Sequence, residues 1–428
     1  MYKLLILLYF LSIYLVPSTY IFRPEYFLSF AIAFYALFTA YRHCVAIYAK
    51  EILLLLLLSV GAVLSVLFQN LIGAEMIYRD LMILVRYVYY ILAIISGGFL
   101  AYKLKDYHQF NYLIFALILV TTLISIFQYH NIFSINNYMS VYIGEKNEAL
   151  AVGYHWRRVI GTFGNPNYWG LFLNFCMIIC LYQAIFKRRY IWLTLTPLIF
   201  VSVLYTGSRT TLVSLVISTF IIIYLVRKHK VEKVSKNIII AMLLISILAV
   251  GAKLLLSGNH TEIYSGKDRF SADNITTLEM RINHWHKMIT HTFNHPIRVI
   301  IGGGESKGKI SVYGDNMYIK YFRDYGFIGF MVYVVLIIYI YRRIMEIIIN
   351  NTEIRHLSIP FLWMYVCLLV FDLAADSWFV VRIAGLILFF YGFIKVASKN
   401  NLSTEVEIDD AKSLDSSTKL ERWGTRLR

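Results

Sequence analysis

Three stretches of the chain set arginines beside residues that break or cap helices: 157–170 (RRVIGTFGNPNYWG), 205–209 (YTGSR) and 315–329 (DNMYIKYFRDYGFIG). Arginine is permanently charged and its planar guanidinium donates paired hydrogen bonds, which suits phosphate or carboxylate ligands. Pro166 stops an incoming helix, and Asn165 and Asn167 can turn the chain and cap the next one, whose positive end then points at Arg157 and Arg158. With Arg209 from the second stretch, this arrangement attracts an anion. A plainer reading stays open, in which interfacial arginines snorkel to lipid phosphates and Tyr168 and Trp169 join an aromatic belt.

Arg86 lies at least a turn inside an apolar run, on nearly the same helical face as Arg79. Ionisable groups at that depth are costly and often functional, although Asp80, Asp372 or Asp376 could neutralise it. Arg382, near one end of the last apolar run, has the same two readings. Residues 278–288 (LEMRINHWHKM) are periodic as a helix, so Glu279, Arg281, His284 and His286 either line a site or belong to a solvated amphipathic surface helix. His284 and His286 diverge on such a helix and make no metal pair. Residues 303–309 fit the pattern G-x-x-x-x-G-K, but Ile310 stands where Ser or Thr is required and no strand precedes, so no nucleotide loop is expected. Asp315 sits where a helix should begin and suits a plain N-cap. The spacing of Cys44, Cys176, Cys180 and Cys367 gives neither a disulfide framework nor a zinc site, which leaves them as packing residues.

The elements that must carry these residues are membrane helices. Of 428 residues, 59% are hydrophobic and 15% charged, with a mean hydropathy of +0.63, far from a globular average. Spans are expected at 4–22, 26–41, 51–69, 81–102, 109–127, 167–186, 190–206, 210–226, 237–256, 326–341, 358–373 and 378–396. The first could be a signal-peptide core, but residues 16–19 offer no small-x-small cleavage site and further spans follow, so it is read as a helix. Helical hydropathy excludes an outer-membrane barrel.

A net charge of +16 could suggest nucleic acid, but its distribution does not. With both termini cytoplasmic, Lys187, Arg188, Arg189, Arg227, Lys228, Lys230, Lys233, Lys236, Arg342, Arg343 and Arg355 all fall inside. The short outer loops hold only Arg23, Arg79, Lys146, Arg157, Arg158 and Arg209. This is the positive-inside pattern of about twelve spans. It divides the chain into 1–256 with nine spans and an outer loop at 128–166, a large, partly helical outer loop at 257–325, three spans in 326–397, and a disordered cytoplasmic tail at 398–428.

Three pieces in order resemble the integral-membrane O-antigen polymerase and O-antigen ligase family. They are Arg158 with GTFGNPN at 161–167, TGSR at 206–209, and, after a long outer loop with Arg281, Trp285 and GGG at 302–304, the DNMY and DYGFIG stretches at 315–318 and 324–329. The resemblance covers about residues 155–345. It implies an all-α, membrane-embedded, GT-C-like glycosyltransferase, inverting and metal-independent, without a cofactor. The implied location is the bacterial inner membrane, with the active site periplasmic. The implied partners are undecaprenyl-diphosphate-linked oligosaccharide, membrane lipids and a chain-length regulator, with no nucleic acid.

Carried onto this chain, Arg158 and Arg209 hold the diphosphate, with Arg157 and Arg86 as helpers. Arg281 and His284 contact sugar, and Asn165, Asn167, Asn316 and Tyr318 complete the substrate site. Asp315 becomes the candidate general base. The ligase branch carries histidine before the motif asparagine; aspartate at 315 departs from that and favours the polymerase branch. A ligase that moves finished glycan to lipid A core, and a flippase for the same lipid, are the competing readings.

Overall fold

A computed structural model describes residues 8–9, 11–12, 24–38, 48–71, 78–104, 110–139, 158–229, 275–304, 316–377 and 380–399. The described residues are helical, with no strand among them. Besides the short helix Ile135–Met139, the helices include α1 Pro24–Phe38, α2 Ala49–Leu71, α3 Tyr78–Lys103, α4 Phe110–His130, α5 Pro166–Ile185, α6 Leu195–Thr206, α7 Arg209–Lys228, α8 Ile275–Phe293, α9 Pro296–Ile301, α10 Met317–Asn350, α11 Arg355–Phe371 and α12 Val381–Lys399. Five described helices are long and apolar enough to cross a membrane, and shorter apolar helices accompany them. The chain is a multi-pass membrane protein. The expected span at 237–256, most of that at 4–22, and the tail after 399 lie outside the described residues.

Burial separates the helices into two kinds. Of the most apolar 18-residue stretch, 83% is buried in α5 and 94% in α12, against 33% in α2 and 39% in α7. The first pair is hydrophobic on every side and enclosed by neighbours. The second turns Leu53, Leu56, Val60, Val213 and Phe220 outward, as helices facing lipid do. Glycine lets the inner helices approach closely. A Cβ on Gly97 of α3 would sit 2.0 Å from the Phe389 carbonyl oxygen of α12, and one on Gly392 would sit 2.1 Å from that of Ile94. Such small-residue contacts are a common way for membrane helices to associate. Away from the arginine-bearing loops, Glu51 of α2 is buried with Lys395 and Tyr391 of α12, whose ammonium and hydroxyl both donate to its Oε1.

The span expected to begin at 326 is longer and broken. α10 starts at 317, and Gly326 interrupts it with φ 65° and ψ −169°, a conformation essentially confined to glycine. The break removes helical donors from the carbonyls of Arg323 and Asp324, and backbone N–H groups of the glycine run replace them: Gly303 donates to Arg323 O (2.8 Å) and Gly304 to Asp324 O (3.0 Å). Gly303 and Gly304 therefore serve the kink. Gly302, at φ +86°, leaves no room for a Cβ, which would lie 2.2 Å from Asp324 O. Gly302→Ala is expected to cost about 1–3 kcal/mol, read as a lowered thermal midpoint in detergent. An unchanged midpoint would mean that the kink is not clamped by this loop.

Candidate functional site

One end of the bundle gathers the carboxyl ends of α4, α6 and α11 and the amino ends of α5, α7, α10 and α12. The segment 158–165 is held there from three sides. Gln128 of α4 accepts from the Ile160 and Gly161 amides (3.1 and 2.9 Å). Val159 N donates to Tyr205 O of α6 (3.0 Å). Arg382 of α12 donates from Nη1 to Thr162 O (2.9 Å), with its guanidinium 5.8 Å from the Phe163 ring centroid. Arg382, open to two readings in the sequence, thus anchors this segment. Gly161, at φ +52°, lies against Trp169, whose Nε1 donates to Ser125 Oγ at 2.9 Å.

Arg158 is the centre of this segment. Its Nε donates to Thr206 O (2.6 Å) and its Nη2 to Asn167 Oδ1 (3.1 Å), so one guanidinium joins the loop, the start of α5 and the end of α6. Gly207 ends α6 in the left-handed region (φ +59°), and its lack of a Cβ leaves the guanidinium space over the turn. Ser208 then caps α7, accepting from Thr211 N, and Arg209 follows as an exposed side chain. Asn165 is the N-cap of α5, accepting from the amides of Asn167 and Tyr168, with Pro166 in its first turn. Two of the three arginine-bearing stretches therefore meet through Arg158.

The third stretch joins through Tyr168, Asp376 and Lys320, which no sequence motif brings together. Tyr168, beside Asn167, donates its hydroxyl to Asp376 Oδ1, and Lys320 of α10 pairs with Asp376 Oδ2 at 2.6 Å. Asp376 lies in the α11–α12 connection. There Asp372 Oδ1 accepts from the Ser377 amide and hydroxyl, Arg281 of α8 reaches Ala374 O (3.4 Å), and Asn316 Nδ2 donates to Leu373 O (2.8 Å). Lys320 stood inside the quoted motif, and the two aspartates stood among apolar residues at a helix boundary; those were the available signals. Replacing Asp376 with alanine removes the carboxylate from both the Lys320 ammonium and the Tyr168 hydroxyl. The expected loss is about 1–3 kcal/mol of stability, read as a thermal midpoint, with Asp376→Asn losing less because it keeps an acceptor for Tyr168.

Several expectations need correction. The N-cap of α10 is Asn316, accepting from Ile319 N at 3.1 Å, and not Asp315; asparagine fills this role as well as aspartate. With its amide nitrogen on Leu373 O as well, Asn316 is 8% exposed and positions the helix start. The structure also places Tyr318, whose hydroxyl donates to Leu369 O of α11 (3.1 Å) and so joins two helices, which leaves its expected substrate contact as a proposal. Asp372 and Asp376, two of the three aspartates that could neutralise Arg86, are engaged by Ser377 and by Tyr168 and Lys320. Arg86 is half-buried on α3, and its neighbour Tyr87 meets Tyr321 of α10 at 3.4 Å. Arg157, Asp315 and the side chain of Asp80 lie outside the described residues.

The amphipathic segment is a helix, α8. Met288 is its buried side, His284 and Arg281 are half-buried, and Glu279 and His286 are exposed. Near its end Arg298 Nη1 lies 3.1 Å from His291 Nε2. Burial first, then the charges of Arg298, His295 and Arg323, hold the His291 pKa below its ordinary 6.5. A base with a lowered folded-state pKa is stabilised in its neutral form. That contribution is full above the unfolded value and fades as pH falls from 6.5 toward the lowered one. The protection of amides in α8 and α9, taken relative to their intrinsic exchange rate at each pH, should therefore weaken on acidification through that window, and His291→Ala should flatten the dependence.

A family model described as O-antigen ligase matches residues 194–334, less than half of the chain. The matched stretch runs into the middle of α10 and takes in Arg209, Arg281, Asp315, Asn316, Tyr318 and Lys320, but not Arg158 or Asp376. No curated protein matches the chain. The match supports a role in assembling O-antigen or a related polysaccharide, as a glycosyltransferase-like ligase or polymerase.

Proposed function

We propose that the protein is the polymerase of this pathway, transferring a growing glycan from undecaprenyl diphosphate to the next lipid-linked repeat at the periplasmic face of the inner membrane. The frame we propose is twelve spans of GT-C-like type with both termini cytoplasmic. The observation that carries the reading is the Arg158 cradle. A guanidinium held by Thr206 and Asn167 stands where three helix ends meet, at the end of the bundle that also bears Arg209, Lys320 and Arg281.

In the proposed reaction the acceptor hydroxyl oxygen attacks the anomeric carbon from the face opposite the diphosphate, inverting it. The carbon–oxygen bond to the diphosphate breaks, and its electron pair leaves with the phosphate. Negative charge grows there, so fixed positive groups lower the barrier. Arg158 and Arg209 fill this role, with Arg157 and Arg86 as helpers, and such charge makes a divalent cation unnecessary. Arg281 and His284 contact sugar, and Asn165, Asn167, Asn316 and Tyr318 hold the site's frame. Asp315 remains the proposed base for the acceptor proton.

The family description favours one other reading, a ligase moving finished glycan to lipid A core. Surface-glycan gels of a deletion strain separate the two. Loss of a polymerase leaves single repeats attached to core, whereas loss of a ligase leaves none attached. A flippase would leave repeats inside and would line a central path with charge; Arg158, Arg209, Lys320 and Arg281 are instead grouped at one end of the bundle.

A further inference from the structure

A second charged recess lies toward the other end of α10. It has a volume of about 570 Å³ and is formed by the start of α2, residues 335–346 of α10 and Lys395 of α12. Two of its cations are already engaged: Lys395 by buried Glu51, and Arg343 by Glu346 at 2.7 Å. Lys50 and Arg342 are exposed, and neither makes an ion pair among the described residues, so the recess carries an excess of positive charge. Its remaining wall is apolar and faces outward, with Val335 47% and Ile338 49% exposed on one side of α10. Tyr339 sits between the two kinds of wall, its ring 5.9 Å from the Lys395 ammonium.

We infer that this recess binds the phosphate headgroup of an anionic phospholipid of the cytoplasmic leaflet, with Lys50 and Arg342 on the phosphate and an acyl chain along Val335 and Ile338. A basic pocket between membrane helices on the cytoplasmic side suits such headgroups. The outward aliphatic wall distinguishes a lipid from a free anion, which would have no use for it. The site lies away from the Arg158 cradle and does not depend on which glycan reaction the protein performs.

The test uses the full-length protein in neutral detergent, titrated with phosphatidylglycerol, phosphatidylcholine or inorganic phosphate while its thermal midpoint is followed. Phosphatidylglycerol should raise the midpoint and phosphatidylcholine should not. Lys50→Ala and Arg342→Ala should each weaken the apparent affinity roughly fivefold, and the double variant should lose most of the shift. Arg227→Ala/Lys228→Ala, which removes charge from the end of α7 outside the recess, should respond as the wild type does. Ile338→Ser should weaken the lipid response, which assigns the apolar wall to the acyl chain. The inference is overturned by an undiminished shift in the double variant, by equal loss in the α7 variant, by an equal response to phosphatidylcholine, or by inorganic phosphate alone reproducing the effect.

Discussion

Arg158→Ala is expected to reduce glycan chain extension on the order of 10²–10³-fold. The guanidinium is fixed before any ligand arrives, by Thr206 O at 2.6 Å and Asn167 Oδ1 at 3.1 Å, so its charge needs no reorganisation as the leaving diphosphate gains negative charge. Lysine is not a substitute, because one ammonium on a flexible stem cannot reproduce the planar fork that spans both acceptors. Arg158→Lys should therefore recover little of the lost rate. Asn167→Ala removes one of the two anchors and should cause a smaller loss. Arg158 also ties the loop to the turn at 205–209, so the thermal midpoint must be read beside the rate. A midpoint near wild type with extension lost assigns the effect to charge at the reacting phosphate. Retention of more than about half the wild-type rate would remove Arg158 from the diphosphate.

Glu51→Ala is expected to cost roughly 3–5 kcal/mol of stability. Glu51 is fully buried and Lys395 is 2% exposed, and the alanine variant would leave that ammonium enclosed without its counter-charge. The Tyr391 hydroxyl would lose its acceptor in the same step. Replacing both charges, as in Glu51→Gln/Lys395→Met, should restore much of the loss, since a buried ion pair exchanged for uncharged groups of similar volume is often near neutral. Thermal midpoints of the single and double variants in one detergent decide the matter. A single variant as stable as wild type would show that water reaches this pair.

Much of the frame was legible in the sequence because hydropathy acts over whole helices. The expected spans at 51–69, 81–102, 167–186 and 210–226 fall on α2, α3, α5 and α7 within a few residues. The Asn165-Pro166 start of α5 and the Gly207-Ser208 turn were legible too, since proline, glycine and capping side chains each force a local geometry. The kink at Gly326 was not, because a glycine inside an apolar run looks the same whether or not the helix continues. What decides it is Ile300 and Gly302, packed where a Cβ on Gly326 would sit. The Tyr168–Asp376–Lys320 link escaped for a different reason. Its members are distant in sequence, and only the packing of α5, α10 and the α11–α12 connection brings them together. In the sequence Asp376 stood only as one of three aspartates that could neutralise Arg86, and spacing could not choose among them.

The central claim, that the Arg158 end of the bundle works on a lipid diphosphate to lengthen a glycan, is tested most directly with purified protein and undecaprenyl-diphosphate-linked repeats in detergent. Wild-type protein should convert single repeats into a ladder of longer products on a gel, and Arg158→Ala should leave them single. Unchanged repeats with the wild-type protein, or an equal ladder from Arg158→Ala, would contradict the account.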